Sequence, residues 1–289
     1  MLARAALVLA GLALSTATAD AYTAAGDRIF QSNILLPQIA PSDELYLRGS
    51  TQPLDGGRNE NAAGVFDKTI TERFGVRVEN GYNWLERDGA STLTGWQNLE
   101  LGAQYLAVLD PGREFLLSVG VNREFGTGAT RIGASRFGAT TPTIYFGKGL
   151  GELGPELLRP LALKGNLGYE ISDAAPRPDQ WTGGIAIEYS IPYLESKVRE
   201  VGLPEFLQRV TPQVEFVVSS PTRSVTGGGT SATVAPGFLY AGEGWEFGIE
   251  ALLPVTRAAG DGAGVIAQVH FSLDFLFPEG IGRPLFRTR

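Results

Sequence analysis

Along most of the chain apolar and polar side chains alternate with a period of two, the spacing of a strand whose two faces meet different surroundings. Residues 265–277 show it most regularly: Val265, Ala267, Val269, Phe271, Leu273, Phe275 and Phe277 share one face, and Gln268, His270, Ser272 and Asp274 the other. In residues 245–253, Trp245, Phe247, Ile249, Ala251 and Leu253 oppose Glu246, Gly248 and Glu250. The same alternation runs through 98–107, 115–122, 161–172, 185–191 and 213–218, and in weaker form through 45–50, 62–70, 74–82, 142–146 and 232–240, twelve segments in all.

A soluble sandwich also alternates, with its greasy face against a second sheet and its polar face in water. Three features favour a membrane instead. Several runs approach the ~9–11 residues that a tilted membrane strand needs. The central greasy positions carry no charge, as expected where Lys or Arg at the bilayer midplane costs about 2–4 kcal/mol. The tryptophans Trp84, Trp96, Trp181 and Trp245 fall at segment ends, in the manner of interfacial aromatic girdles. The pattern predicts an all-β fold, an antiparallel transmembrane β-barrel of twelve strands over residues 44–277.

With both chain ends on the periplasmic side, the turns on that side fall at 71–73, 110–112, 148–158, 192–209 and 241–244. The outer loops fall at 51–61, 87–95, 126–135, 173–180, 220–228 and 257–264, all rich in turn-forming residues. Residues 193–210 space Leu194, Val198, Val201, Leu203, Phe206, Leu207 and Val210 as short amphipathic helices broken near Gly202 and Pro204, a periplasmic helical connector. Residues 22–43, with Ile29, Phe30, Ile34, Leu35 and Leu36 among polar neighbours, form a periplasmic lead-in or a short plug inside the lumen. Phe277 has the position of the terminal aromatic read by the barrel-assembly machinery, although a periplasmic tail, 278–289, continues past it.

Composition supports strands and turns: 38 Gly, 15 Phe, 9 Tyr and 4 Trp stand beside no Cys and one His. Residues 1–21 read as a cleaved signal peptide, with Arg4, an apolar stretch and Ala17-Thr18-Ala19 or Ala19-Asp20-Ala21 for cleavage, so the chain is expected to be exported to the Gram-negative outer membrane. Without cysteine there is no disulfide framework or thiolate metal site. The net charge of -7 makes nucleic acid an unexpected partner.

The inward positions include Arg77, Glu79, Glu100, Lys164, Glu170, Glu188, Glu215, Glu246, Glu250, Gln268, His270 and Asp274, a mainly acidic lining that attracts cations or fills the interior with ion pairs. Twelve strands leave a narrow lumen, between the packed interior of about eight and the open channel of sixteen or more. Gly149-Leu150-Gly151-Glu152-Leu153-Gly154 matches the dinucleotide-binding spacing, but Pro155 follows and no βαβ unit surrounds it, so it reads as a turn. No catalytic group, metal or cofactor is expected, a single His being a poor metal site.

Phe74-Gly75-Val76-Arg77-Val78-Glu79 after a polar turn, Gly95-Trp96 opening a strand, Val119-Gly120 leading to Phe125-Gly126, and Gly-rich closing hairpins resemble the outer-membrane proteins of the phenol-degradation meta-pathway. The resemblance implies transport of small compounds, aromatic ones among them, and carries over no binding residue. His270-Phe271-Ser272 is similar to the His-x-Ser spacing of outer-membrane phospholipase A; there the pair faces lipid, whereas here the alternation turns it toward the lumen. The expectation is a pore or transporter for small solutes, aromatic or cationic. The alternative is a plugged structural barrel whose loops bind partners, and a lipid-modifying enzyme is a third. Its partners would be outer-membrane lipid, the assembly machinery and the solute.

Overall fold

In the computed structural model, which describes residues 23–152, 154–223 and 229–286, the alternation becomes fifteen strands. They are β1 (Thr23–Ala25), β2 (Arg28–Phe30), β3 (Glu44–Leu54), β4 (Gly57–Thr71), β5 (Phe74–Arg87), β6 (Leu93–Trp96), β7 (Leu99–Asp110), β8 (Phe115–Phe125), β9 (Ala139–Gly149), β10 (Leu161–Ser172), β11 (Gln180–Tyr189), β12 (Val210–Pro221), β13 (Ser231–Ala241), β14 (Trp245–Pro254) and β15 (Gly264–Ser272). β1 and β2 form a separate hairpin. The long strands each pair antiparallel with their neighbours in sequence, and β15 pairs with β3 from Val265↔Thr51 to Ser272↔Glu44, closing a twelve-strand barrel with no free edge. β6 is a short addition on the upper part of β5.

The wall is inverted relative to a soluble core. On β12, Thr211, Gln213 and Glu215 are buried inside, whereas Val214 and Phe216 are exposed outside. The exposed outer face also carries Leu47, Leu101, Ile144, Leu167, Ile187 and Val265, so the greasy side of each repeat faces outward all round the ring. Aromatics mark both rims on this face. Tyr82, Trp84 and Trp96 cluster edge to face at 4.8–5.2 Å, and Trp181 lies 4.8 Å from Tyr169, all at the distal end, away from the chain termini. Trp245 lies 6.0 Å from Tyr240 at the terminal end.

Two local expectations are corrected, the outer loop at 51–61 and the end of the last strand, whereas the short helical connector broken at Gly202 is found as expected. The outer loop expected at 51–61 is a two-residue turn at Asp55-Gly56, with β3 and β4 paired up to Leu54↔Gly57. Asp-Gly favours such hairpins, and Gly56 adopts φ 67°, which other residues resist. The connector after β11 is α1 (Ile191–Tyr193), a wide helical turn over Leu194–Val198, and α2 (Glu205–Gln208), with the break at Gly202 where φ is 72°. The last strand stops at Ser272 instead of 277, and α3 (Leu273–Leu276) follows. The cause is loss of a partner: β3 begins at Glu44, and after Leu273 N–H donates to the Asp43 carbonyl at 2.9 Å the preceding residues have turned into the lumen. Asp274 therefore leaves the lumen wall, and Phe277 lies exposed beyond the helix instead of ending a strand. The tail then returns to the base of β4, where Phe286 N–H donates to the Ile70 carbonyl at 2.8 Å and Lys68 Nζ to the Arg283 carbonyl at 2.8 Å. The signal-peptide reading falls on residues outside those described.

Candidate functional site

The polar interior of the barrel is divided by its own N-terminal segment. Residues 23–43 occupy the terminal half of the lumen as a plug, so the lead-in alternative is not the arrangement found. At the floor, Arg28 is fully buried: its Nε pairs with Glu114 at 3.1 Å, its Nη atoms donate to the Pro160 and Arg159 carbonyls, and its guanidinium lies 3.9 Å over the Tyr193 ring. Tyr193 in turn donates to Glu114 at 2.6 Å, and burial followed by this carboxylate pushes the phenol's pKa up.

Above the floor the plug has no regular secondary structure and bends at 34–36 and 39–40, and the wall supplies what its backbone needs. Glu215 accepts from the backbone N–H groups of Ile34, Leu35 and Leu36 at 2.6, 3.1 and 2.7 Å. Lys164 donates to the Gln31 carbonyl at 2.7 Å while pairing with Glu188 at 2.8 Å, both side chains fully buried. Gln268 donates to the Asn33 carbonyl at 3.1 Å, Ser32 hydrogen-bonds Glu246, and Gln213 bridges Glu215 and Glu250 at 3.1 and 3.0 Å. His270 stacks on Tyr46 at 4.6 Å and lies 3.3 Å from Glu44, inside the lumen and away from the lipid-facing surface. Wall glycines make room for the plug: a Cβ on Gly147 would fall 2.5 Å from Ile39 Cδ1, one on Gly248 2.5 Å from Ile34 Cδ1, and one on Gly184 2.6 Å from Leu36 Cδ2.

The distal half is open. A cavity of about 470 Å³ is lined by Glu79, Asn80, Asn83, Gln97, Asn98, Glu100, Glu124, Ser135 and Arg177. A second, of about 330 Å³, shares Glu79, Glu100 and Glu124 with it and reaches Arg48, Arg77, Asn122, Asn166 and Glu170 before Leu35, Leu36 and Pro37 of the plug close it. Together they form one vestibule. Alongside the plug, a gap of about 20 Å³ lies between residues 37–42 and the wall at Asp67, Gly75 and Tyr145.

Most charges in the vestibule are paired. Arg48 holds Glu79 at 2.6 Å, Arg77 grips both oxygens of Asp67 at 2.7 Å, and Arg177 bridges Glu124 at 2.5 Å and Glu170 at 2.7 Å. At the rim Asp173 is paired with Arg123 at 2.5 Å, and this hydrogen bond holds its carboxyl below the usual range. Of the residues read as lumen-lining, Arg77, Glu79, Glu100 and Glu170 meet in the vestibule, Lys164, Glu188, Glu215, Glu246, Glu250, Gln268 and His270 surround the plug, and Asp274 lies outside. Missed were Arg48, Asp67, Glu124 and Arg177. The first three continue the inward alternation of their strands and could have been found by extending it; Arg177 sits in a distal loop that folds inward, for which the sequence carried no signal.

No family model and no curated protein matches the chain. Among solved structures it is similar to an outer membrane channel from Pseudomonas putida F1, with a TM-score of 0.51 and 10% identity over 84% of this chain and 99% of that one. It is also similar to the KdgM porin, with a TM-score of 0.48 and 13% identity over 79% and 98%, and to LpxR from Salmonella typhimurium, with 0.48 and 8% over 79% and 99%. At such identities the likeness concerns the fold, a closed twelve-strand barrel of the outer-membrane kind.

Proposed function

We propose that the protein is an outer-membrane channel for small polar solutes, exported by its N-terminal signal and kept closed at rest by residues 23–43. It sits among outer-membrane lipid after insertion by the assembly machinery, and it acts as a pore and not as an enzyme. The observation that carries this reading is the vestibule: a polar cavity open at the distal end leads to a plug made of the same chain, with a narrow gap alongside it. The plug is held both by hydrogen bonds to wall carboxylates and amides and by two apolar clusters, Phe30 and Ile39 against Leu116 and Tyr145 and Ile34 against Leu239 and Ile266, so its release would have to break both kinds of contact. The vestibule lining contains no aromatic side chain among the described residues, which favours polar over aromatic solutes.

The test is planar-bilayer conductance of the full chain against a variant lacking residues 23–42. The full chain should show rare, small openings and the shortened one a steady conductance; silence from a folded, inserted plug-less barrel would overturn the channel. A second reading, a permanently sealed barrel that presents its distal loops, is favoured by one feature, the fit of wall glycines to the plug.

A further inference from the structure

Three strands side by side place like charges at one level. In the register of β5, β7 and β8, Glu79 faces Glu100 and Glu100 faces Glu124, all three pointing into the vestibule. Carboxylates directly opposite one another across strands repel, and a row of three does so twice. The outer two are compensated from the flanks, Glu79 by Arg48 of β3 and Glu124 by Arg177 from the β10–β11 loop. The middle one is not: among the described residues Glu100 makes no hydrogen bond or ion pair. Each nearby guanidinium is already engaged, Arg48 with Glu79 and the Ile34 carbonyl, Arg77 with Asp67, and Arg177 with Glu124, Glu170 and the Phe137 carbonyl.

An amide of the same vestibule adds an independent observation. The Oδ1 atom of Asn166 is fully buried and has no partner, and its side chain lies on the inward face of β10 with Lys164 and Glu170, lining the vestibule. A buried acceptor without a donor costs about 1–3 kcal/mol. The unmet need is therefore for N–H donors bearing positive charge, in a cavity of about 470 Å³, room for a molecule of several heavy atoms beside water. Among the described residues no cluster of carboxylates and His is arranged to hold a metal ion, so an organic cation fits the need better.

We infer that the vestibule is a binding site for a small organic cation carrying primary ammonium groups, with Glu100 as its charge partner and the Asn166 amide as a further acceptor. The inference rests on the channel reading for its purpose, because a site at the mouth of a channel selects what approaches the plug. Charge selection of this kind uses the field of the lining, which low-dielectric walls strengthen.

Isothermal titration calorimetry of the refolded full chain in detergent, with 1,4-diaminobutane as the probe, tests it. Saturable binding is expected for the diamine and none for butane-1,4-diol or succinate. Glu100→Gln should weaken binding by about tenfold or more, the loss of one charge-assisted contact. Glu100→Lys should abolish it while leaving the barrel at least as heat-stable, since the new ammonium supplies the missing charge internally. Equal heats for diamine and diol, or unchanged affinity in a folded Glu100→Gln barrel, would overturn the site. Conductance reports separately: diamine binding without any current in the plug-less variant keeps the site and sinks the channel, and current without binding does the reverse.

Discussion

The two halves of the lumen are lined by the same inward alternation yet solve different problems. In the distal half, ion pairs such as Arg177 with Glu124 and Glu170 keep partial contact with solvent and hold the shape of a water-accessible vestibule. In the terminal half, Lys164, Glu188, Glu215 and Arg28 are wholly buried at the contact of plug and wall: Lys164 and Glu215 bond the plug backbone, Glu188 pairs with Lys164, and Arg28 of the plug bonds Glu114 and two wall carbonyls. A charge that sees water tolerates loss of its partner, whereas one sealed under a plug does not. The same residue types therefore line an open cavity at one end and a sealed contact at the other.

The contrast predicts a steep gradient in mutational cost. Lys164→Met should destabilise the folded barrel by about 3–5 kcal/mol, because it leaves Glu188 buried and charged and the Gln31 carbonyl without its donor. Heat-induced unfolding of the full chain in detergent reads this. Adding Glu188→Leu should restore much of the loss, and no recovery would mean that the pair matters for the plug's shape more than for its charge.

Glu215→Gln comes next. Its carboxylate accepts three successive amides, and the amide replacement keeps one acceptor oxygen, so the expected cost is about 1.5–3 kcal/mol and local. Hydrogen exchange at Ile34, Leu35 and Leu36 should accelerate while the barrel strands stay protected. By contrast Arg177→Ala in the vestibule should cost about 1 kcal/mol and leave unfolding nearly unchanged. Its effect should be on conductance and cation preference, because it frees Glu124 and Glu170. If Arg177→Ala unfolded the barrel as readily as Lys164→Met, the division of the lumen into wet and dry halves would fail.

How much of this the sequence disclosed follows from period. Twelve strands and their inward residues were legible because a wall between lipid and lumen repeats its demand at every second residue, as Gln268, His270 and Val269 show. The plug was legible only as one of two alternatives, because residues 23–43 have no period; Ile34 and Leu36 find room where the opposite wall offers Gly248 and Gly184. Glycine inside a strand weakens it, so Gly147, Gly184 and Gly248 were the available sign that something approaches the wall closely. The early end of β15 was hidden for the same reason, since a strand's length depends on its partner and the partner had gone into the plug. Glu100's isolation was equally hidden: that it lacks a base depends on where Arg48 and Arg177 are spent.

The smallest expected effect lies outside both halves, at the clasp that follows β15. Asp274 on α3 is partly buried beside Glu44 and Asp43, and burial, with the charge of Glu44 second, pushes its carboxyl up to about 7. The folded state thus holds a proton that the unfolded chain gives up near the ordinary value of 3.8. A group whose affinity for protons is greater when folded contributes stability that is complete below the lower value and is lost as pH rises toward the upper one. The clasp should accordingly loosen between pH 4 and about 7 and change little above that, opposite in sign to a salt-bridged carboxylate. Because α3 touches the barrel through Leu273 and the tail is tied at Ile70, the loosening should appear as faster proteolysis of residues 274–286 at pH 8 than at pH 5, with the strands intact. Asp274→Asn should flatten that dependence. If the variant kept the full pH response, the titrating group would lie elsewhere at the terminal rim.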